Sequence, residues 1–280
     1  MVAVVGVHGI AQQYKGPNHL AATWLPSLQD GVHFAGGELS PTDFAMAFYG
    51  NLFRAPGAMA VGLPPLTASD LNDEDADLLD LWWREAARVD GAVPGPDAHT
   101  MVRTPKSVQR ALNALSQSRF FAGAAERVMV GVVKQVRLYF SDPSVRAAAI
   151  GSVEDVVTDD TRVLVGHSLG SVVAYEALAA HPEWRIDTLV TVGSPLGISN
   201  LVFDKLAPSP THGRGAFPGT ARAWVNVASP GDVVALVKQL ASKFDGPVAD
   251  HLVENGAKAH DASPYLTSVE VGAAVIHGLG

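Results

Sequence analysis

The hydrophobic positions of this 280-residue chain form short apolar runs, separated by longer stretches in which they recur every three or four residues. A run rich in β-branched residues is typical of a strand buried in a parallel sheet, and the longer period indicates a helix. Strands are predicted on this basis at residues 2–7, 43–49, 162–165, 188–192, 221–228 and 248–253.

Helical patterns alternate with these strands. Helices are predicted at residues 18–29, 72–89, 108–140 (one long or two shorter), 144–157, 172–178, 232–240 and 264–276. A strand, a helix and a second strand within the first fifty residues make a βαβ unit, which implies a parallel sheet. We therefore predict one α/β domain over residues 1–280, with residues 51–141 inserted into it as a helical segment between Pro/Gly-rich loops.

The composition argues against several classes of protein. A formal net charge of −8 argues against a nucleic-acid groove or a site for an anionic membrane. Without cysteine the chain has no disulfide and no cysteine-based metal centre. It has no run of 18 apolar residues, so no transmembrane helix is predicted, and we recognise no targeting signal. A cytoplasmic protein is expected.

An acidic run opens the helix predicted at 72–89. Its carboxylates belong to Asp73, Glu74, Asp75, Asp77 and Asp80. Such a run suggests a metal site, but carboxylates in the first turns of a helix also suit the helix dipole, and most of these would face solvent. We expect no metal and no cofactor.

The most specific local pattern is Gly166-His167-Ser168-Leu169-Gly170, which ends one predicted strand and precedes a predicted helix. In this context Gly-x-Ser-x-Gly forms a strained turn that presents the serine at the edge of the sheet. Gly166 and Gly170 leave room where helix and strand approach each other. Ser168 is the candidate nucleophile, and the alternative is a plain glycine-rich turn with an idle serine.

A serine nucleophile needs a base, and the base needs an acid that orients it. In this architecture they follow the serine in the order acid, then histidine, on loops after strands. Asp232 lies in a Ser-Pro-Gly-Asp turn directly after a strand, and Asp204, in the long excursion after residue 192, stays open as the alternative acid. His260 lies between the last strand and the last helix. The other late histidines fit these requirements less well: His181, His212, His251 and His277.

The loop His8-Gly9-Ile10 follows the first predicted strand. Such a loop can present a backbone N–H to the nucleophile, because glycine permits close approach. A second N–H would come from Leu169, directly after Ser168. The alternative is a strand-to-helix turn without such a role.

These motifs, in this order, resemble the α/β-hydrolase superfamily, close to its lipase and esterase branches. The matching segments are residues 7–10, 165–170, 191–196 and 225–232, followed by the late His260, and the resemblance covers the chain outside 51–141. It implies a Ser168–Asp232–His260 triad with Ile10 and Leu169 as oxyanion donors. The chain begins at what is usually the third strand. The mostly parallel sheet is therefore expected to lack the usual first two strands, or to be completed by a partner.

We therefore predict a metal-independent serine hydrolase that cleaves a small-molecule acyl ester through an acyl-enzyme. The single His-Gly followed by apolar Ile10 resembles enzymes that take medium or longer acyl chains. An acyltransferase or thioesterase would use the same triad, and a catalytically silent interaction module is the alternative from another class.

Residues 51–141 are predicted to form a cap whose apolar side chains meet the substrate, although a rigid helical layer that never meets it remains open. The side chains concerned are Trp82, Trp83, Phe120, Phe121, Val130, Val132 and Val133.

Overall fold

Six parallel strands form one sheet in the computed structural model, which describes residues 2–54, 67–96, 105–117, 126–219 and 221–280. The strands are β1 Val4–Val7, β2 Phe44–Ala47, β3 Val163–His167, β4 Thr188–Val192, β5 Ala223–Ala228 and β6 Val248–Leu252. Their order across the sheet is β2-β1-β3-β4-β5-β6, and each neighbouring pair is parallel. The prediction of an α/β fold with a parallel sheet is confirmed.

Helices cover both faces of this sheet. They are α1 Pro17–Phe34, α2 Asp73–Val89, α3 Pro105–Gln117, α4 Glu126–Ser141, α5 Pro143–Glu154, α6 Leu169–Ala180, α7 Ala262–Leu266 and α8 Val269–Leu279. Because side chains alternate along a strand, Val5 and Leu164 pack with α5 and α6. Val4 and Val165 pack with α1, α7 and α8 on the other face. No helix among the described residues is both long and apolar enough to cross a lipid bilayer.

The sheet has a switch point between β1 and β3, because the chain leaves β1 towards β2 and then crosses over to β3 on the opposite side. In open α/β sheets, ligands bind in the crevice at the carboxyl ends of the strands that flank such a point. The loop that begins at His8 and the turn at Ser168 follow these two strands. The fold therefore brings the two predicted motifs to one place.

The helix predicted at 232–240 is wrong. The chain there runs in turns, because aspartate side chains bind backbone N–H groups that a helix would use. The Asp232 carboxylate accepts from the N–H of Val234 at 2.9 Å, and the Asp250 carboxylate accepts from the N–H of Leu240 at 2.9 Å.

Two other predicted helices are divided. The stretch 108–140 gives α3 and α4, and the helix predicted at 264–276 gives α7 and α8. Ser268 separates the last two, because its side chain accepts a hydrogen bond from the N–H of Val271 and so begins α8. Phe120 and Phe121 lie outside the described residues.

Helices α2, α3 and α4 form a layer with its own apolar cluster, which we call the helical insertion. Trp82, Leu115 and Val133 are buried in it together with Val233 and Val234, which follow β5. The insertion therefore rests on the carboxyl edge of the sheet, against the loop that contains Asp232.

Candidate active site

Ser168 occupies the sharp turn between β3 and α6. Its φ of 55° places a non-glycine residue in the left-handed region, which costs on the order of 1–3 kcal/mol and persists only where the surroundings hold it. Its N–H donates to the Val192 carbonyl at 3.1 Å. A Cβ on Gly170 would lie 2.2 Å from the Val7 carbonyl oxygen, and one on Gly166 would lie 2.6 Å from the Cα of Ser171. At both predicted glycine positions, a side chain would therefore clash with neighbouring backbone atoms.

Hydrogen bonds of two further serines stabilise the backbone of this turn. Ser171 Oγ donates to the Ser168 carbonyl at 2.6 Å. A hydroxyl has one hydrogen, so in the 2.7 Å contact between Ser171 Oγ and Ser194 Oγ the donor is Ser194. Ser194 in turn accepts from the N–H of Leu196 at 3.2 Å. The segment 191–196 thus supports the backbone of Ser168.

Asp232 and His260 form a direct pair, as the sequence predicted. Asp232 follows β5 and is fully buried, and His260 Nδ1 lies 2.9 Å from its Oδ1 and 2.8 Å from its Oδ2. Since an ionised carboxylate can only accept, Nδ1 carries the hydrogen. The alternative acid, Asp204, lies in the short helix Phe203–Lys205, where its carboxylate accepts the N–H of Asn200.

Tyr265 also holds the Asp232 carboxylate, and sequence reasoning missed it. Its hydroxyl donates to Asp232 Oδ2 at 2.8 Å and accepts from the N–H of Ser229 at 2.8 Å. The side chain is completely buried in α7. A buried tyrosine hydroxyl usually has a polar partner, but the sequence does not say which one.

Asp232 is held in its charged form. Burial alone would raise the pKa of this carboxyl, but the attraction of His260 and the hydrogen bonds from His260, Tyr265 and Val234 outweigh burial. The pKa of Asp232 therefore lies below its usual value, and the group is ionised at neutral pH.

Lys238 connects the loop that contains Asp232 to the helical insertion. Its ammonium donates to the backbone carbonyl of Asp232 and lies 3.8 Å from the carboxylate of Glu85 in α2. Burial lowers the pKa of Lys238, and the two neighbouring carboxylates oppose that shift without cancelling it. This contact was not predicted either.

His167 joins the turn at Ser168 to the loop of His260. Its Nε2 lies 2.8 Å from the His260 carbonyl oxygen and must donate the hydrogen, because a carbonyl can only accept. Burial lowers the pKa of His167 to about 3, so the ring is neutral at physiological pH. The residue that precedes Ser168 therefore fixes the backbone of His260.

His8 orders the loop after β1. The Tyr49 N–H donates to its Nε2 at 3.2 Å, so the hydrogen is on Nδ1, which donates to the Gly9 carbonyl at 2.6 Å. Burial lowers the pKa of His8 to about 4, which keeps this ring neutral. A Cβ on Gly9 would lie 2.8 Å from Ser168 Cβ, so the loop lies directly against the serine.

The two N–H groups predicted as oxyanion donors belong to Leu169, the residue after Ser168, and to Ile10, the residue after Gly9. Leu169 is the first residue of α6, where an N–H has no acceptor within the helix. Among the described residues, none accepts a hydrogen bond from the N–H of Ile10. Both predicted donors are therefore available for a ligand atom.

The acidic run at the start of α2 has structural roles. Asp75 and Asn72 cap the helix reciprocally, and Asp80 pairs with Arg84 at 2.7 Å. Asp75 is buried and lies 3.1 Å from Arg137 of α4. In the part of the chain that the structure describes, no group of three or more His, Cys, Asp or Glu side chains could hold a metal ion.

The site is closed to solvent at the serine. Ser168 is only 2% exposed. A cavity of 420 Å³ lies between the end of α2 and the loops of Asp232 and His260, and its lining includes Val89, Gly231 and Ala259 but not Ser168.

The sequence was compared with models of protein families and with curated proteins, and neither comparison gives a match.

Proposed function

We propose that this protein is a serine hydrolase of the α/β-hydrolase type that cleaves carboxylic esters. The observation that carries the proposal is the pair of buried Asp232 and half-buried His260 at the same sheet edge as Ser168. A merely structural serine turn needs neither a strained backbone nor an acid–imidazole pair beside it. The expectation of a cytoplasmic enzyme belongs to the same proposal.

The chemistry follows from the tautomer of His260. With the hydrogen of Nδ1 directed to Asp232, Nε2 is the nitrogen that takes the Ser168 proton as Oγ attacks the ester carbonyl. The N–H groups of Ile10 and Leu169 stabilise the oxyanion, and the imidazolium returns its proton to the leaving alcohol. Water then attacks the acyl-enzyme, with His260 as the base again, and releases the acid and free Ser168.

The helical insertion acts as a cap in this proposal. It packs on the residues that follow Asp232 and contacts Ile10, so it covers the crevice where an acyl group would bind. Walls of acyl pockets are mostly apolar, and Ile10, Leu201 and Leu236 are partly buried apolar side chains between the insertion and the rest of the molecule. This supports a substrate with an acyl chain of medium or greater length.

The test replaces the nucleophile. Ser168→Ala should abolish hydrolysis of p-nitrophenyl esters, by about a millionfold in kcat, and should prevent labelling by a fluorophosphonate, which reacts only with an activated serine. Ser116→Ala, at an exposed position of α3, is the control and should retain both activities. A folded Ser168→Ala protein with wild-type turnover would overturn the proposal. Wild-type protein that is neither labelled nor active would favour the silent interaction module.

A further inference from the structure

The loop after β1 contains two successive peptide units whose polar groups are held by side chains. In the Gly9–Ile10 peptide, the carbonyl accepts from His8 Nδ1 at 2.6 Å. In the Ile10–Ala11 peptide, the carbonyl accepts from Gln12 Nε2 at 3.1 Å, and the N–H donates to Gln135 Oε1 at 2.9 Å. Three of the four polar groups are therefore occupied, and the fourth is the N–H of Ile10.

This arrangement sets the direction of the remaining N–H. The C=O and N–H of one trans peptide point in opposite directions. Fixing the Gly9 carbonyl towards His8 therefore turns the Ile10 N–H away from that ring. The hydrogen bonds at the next peptide prevent the loop from rotating about Ile10, so the oxyanion donor has one orientation.

Gln135 is the only one of these three side chains that comes from outside the loop. It lies in α4 of the helical insertion, 124 residues further along the chain, and it is only 7% exposed. Its Nε2 donates to Gln13 Oε1 at 3.2 Å, so the amide oxygen faces Ala11. The residue it holds is strained: Ala11 has a φ of 60°, in the left-handed region that non-glycine residues rarely adopt.

We propose that Gln135 is a positioning residue through which the insertion aligns the oxyanion donor of Ile10. This inference rests on the proposed function. When the insertion covers the site, Gln135 holds the Ala11 N–H and the strained loop keeps its catalytic geometry. When the insertion moves to admit substrate, that hydrogen bond is lost and the loop relaxes. Closure over the substrate therefore completes the oxyanion hole, and a bound ester reacts only beneath a closed cap.

A purely structural role for Gln135 makes a different prediction. If its amide only attached the insertion to the domain, its loss would lower stability or weaken substrate binding, and the chemical step would be unchanged. A donor that acts on the oxyanion is needed chiefly in the transition state, so its misalignment lowers kcat and leaves KM nearly unchanged.

The experiment compares three variants of the full-length protein on one p-nitrophenyl ester. Gln135→Met keeps the length of the side chain and removes the acceptor, and kcat should fall roughly ten- to hundredfold, less than the 10²- to 10³-fold loss on deleting an oxyanion donor. Gln135→Glu keeps an oxygen that accepts from Ala11, and it should restore most of kcat. Gln135→Asn shortens the side chain by one methylene, so its amide no longer reaches Ala11, and its kcat should fall as in the Met variant. The Asn variant therefore provides the same test if the Met variant does not fold.

Gln117→Met is the matched control, since this glutamine is exposed on α3 of the same insertion, and it should leave kcat unchanged. Equal kcat in wild type and in the folded Met or Asn variant would overturn the inference, and so would an effect on KM alone or equal losses in the Met and Glu variants. Fluorophosphonate labelling of the wild type separates the two levels of failure. An unlabelled, inactive wild type overturns the proposed function and the inference together, whereas a labelled, active wild type with an unaffected Gln135→Met overturns the inference alone.

Discussion

At the scale of single residues, the candidate site depends on the hydrogen bonds that the Asp232 carboxylate accepts. The Asp232 carboxylate accepts hydrogen bonds from His260, Tyr265, Val234 and Ala235. A buried carboxylate is costly unless such donors satisfy it. The same donors fix the orientation of the Asp232 carboxylate, so its oxygens accept the hydrogen bond of His260 in one geometry.

Tyr265→Phe tests whether this orientation matters for turnover. The change removes one donor from Asp232 and the acceptor of the Ser229 N–H. The carboxylate can then turn away from His260, and kcat on a p-nitrophenyl ester should fall roughly ten- to hundredfold, less than the 10²- to 10⁴-fold that a positioned acid–base group contributes as a whole. KM should change little, because Tyr265 is buried behind the acid.

Tyr175→Phe is the control for loss of a buried tyrosine hydroxyl. That hydroxyl donates to the Ala216 carbonyl at 2.9 Å, away from Asp232, and its loss should cost about 0.5–1.5 kcal/mol of stability without lowering kcat. Denaturant unfolding and steady-state kinetics on both variants separate the effects. If the two variants lose kcat equally, Tyr265 has no special role at Asp232.

Sequence reasoning could predict that Ser168, Asp232 and His260 lie near one another because each comes after a predicted strand, and a parallel sheet brings the ends of its strands to one edge. It could not identify Tyr265 or Gln135. Their partners lie 33 and 124 residues away in the chain, and both contacts depend on how a helix packs over a loop. No local period encodes that geometry.

At the scale of elements, short apolar runs predicted the central strands β1, β3 and β4 because strands covered on both faces are apolar throughout, whereas the edge strand β6 is largely exposed. The helix predicted at 232–240 failed for the opposite reason. Its apolar spacing suits a helix, but Val233 and Val234 face the insertion instead, and the carboxylates of Asp232 and Asp250 bind the local N–H groups. The apolar spacing of this loop is therefore similar to that of a helix, although its backbone is not helical.

The junction between the helical insertion and the sheet gives a prediction on substrate length. Trp82, predicted to line the pocket, is 1% exposed within the insertion's own core, so Leu201 at the junction is the better probe. Leu201→Ala should lower kcat/KM for long-chain p-nitrophenyl esters at least tenfold more than for the acetate, since each methylene in an apolar pocket is worth roughly ten- to two-hundredfold.

Leu138→Ala serves as the control for this comparison, because Leu138 is 37% exposed on α4. It should leave the chain-length preference unchanged. Losses that are the same for short and long esters in Leu201→Ala would mean that the insertion is a rigid layer that does not line the acyl site.

At the scale of the whole molecule, the described residues form three apolar clusters: one on each face of the sheet and one within the helical insertion and against Val233 and Val234. His8 is buried and His167 is half-buried beside Ser168, and desolvation lowers the pKa of both rings. Their rings must be neutral there, because burial disfavours the charged form. The stability of the whole fold therefore depends on pH through two residues of the candidate site.

The direction of that dependence follows from the proton balance. An unfolded histidine has a pKa near 6.5, whereas the folded values are about 4 for His8 and about 3 for His167. Between those values the unfolded chain binds more protons, so stability falls as the pH decreases below about 6.5. Each of the two groups contributes up to about 1.4 kcal/mol per pH unit.

The pKa of His181 is raised by hydrogen bonds to Glu154 and Glu183, against the effect of burial, so the stability that His181 contributes is complete at low pH and is lost only as the pH rises.

We therefore expect the free energy of unfolding in urea, measured at constant ionic strength, to decrease from about pH 6.5 to pH 5. Asp232 does not offset this decrease, because its lowered pKa adds stability that is lost only in more acidic solution.

His8→Asn should be less stable than the wild type at pH 7, since the Gly9 carbonyl and the Tyr49 N–H lose their partner. Its stability should nevertheless depend on pH with a slope smaller by up to one proton. His19→Asn, at an exposed position of α1, should keep the wild-type slope. A wild-type stability that does not change between pH 7 and pH 5 would show that these histidines are not buried in their neutral form.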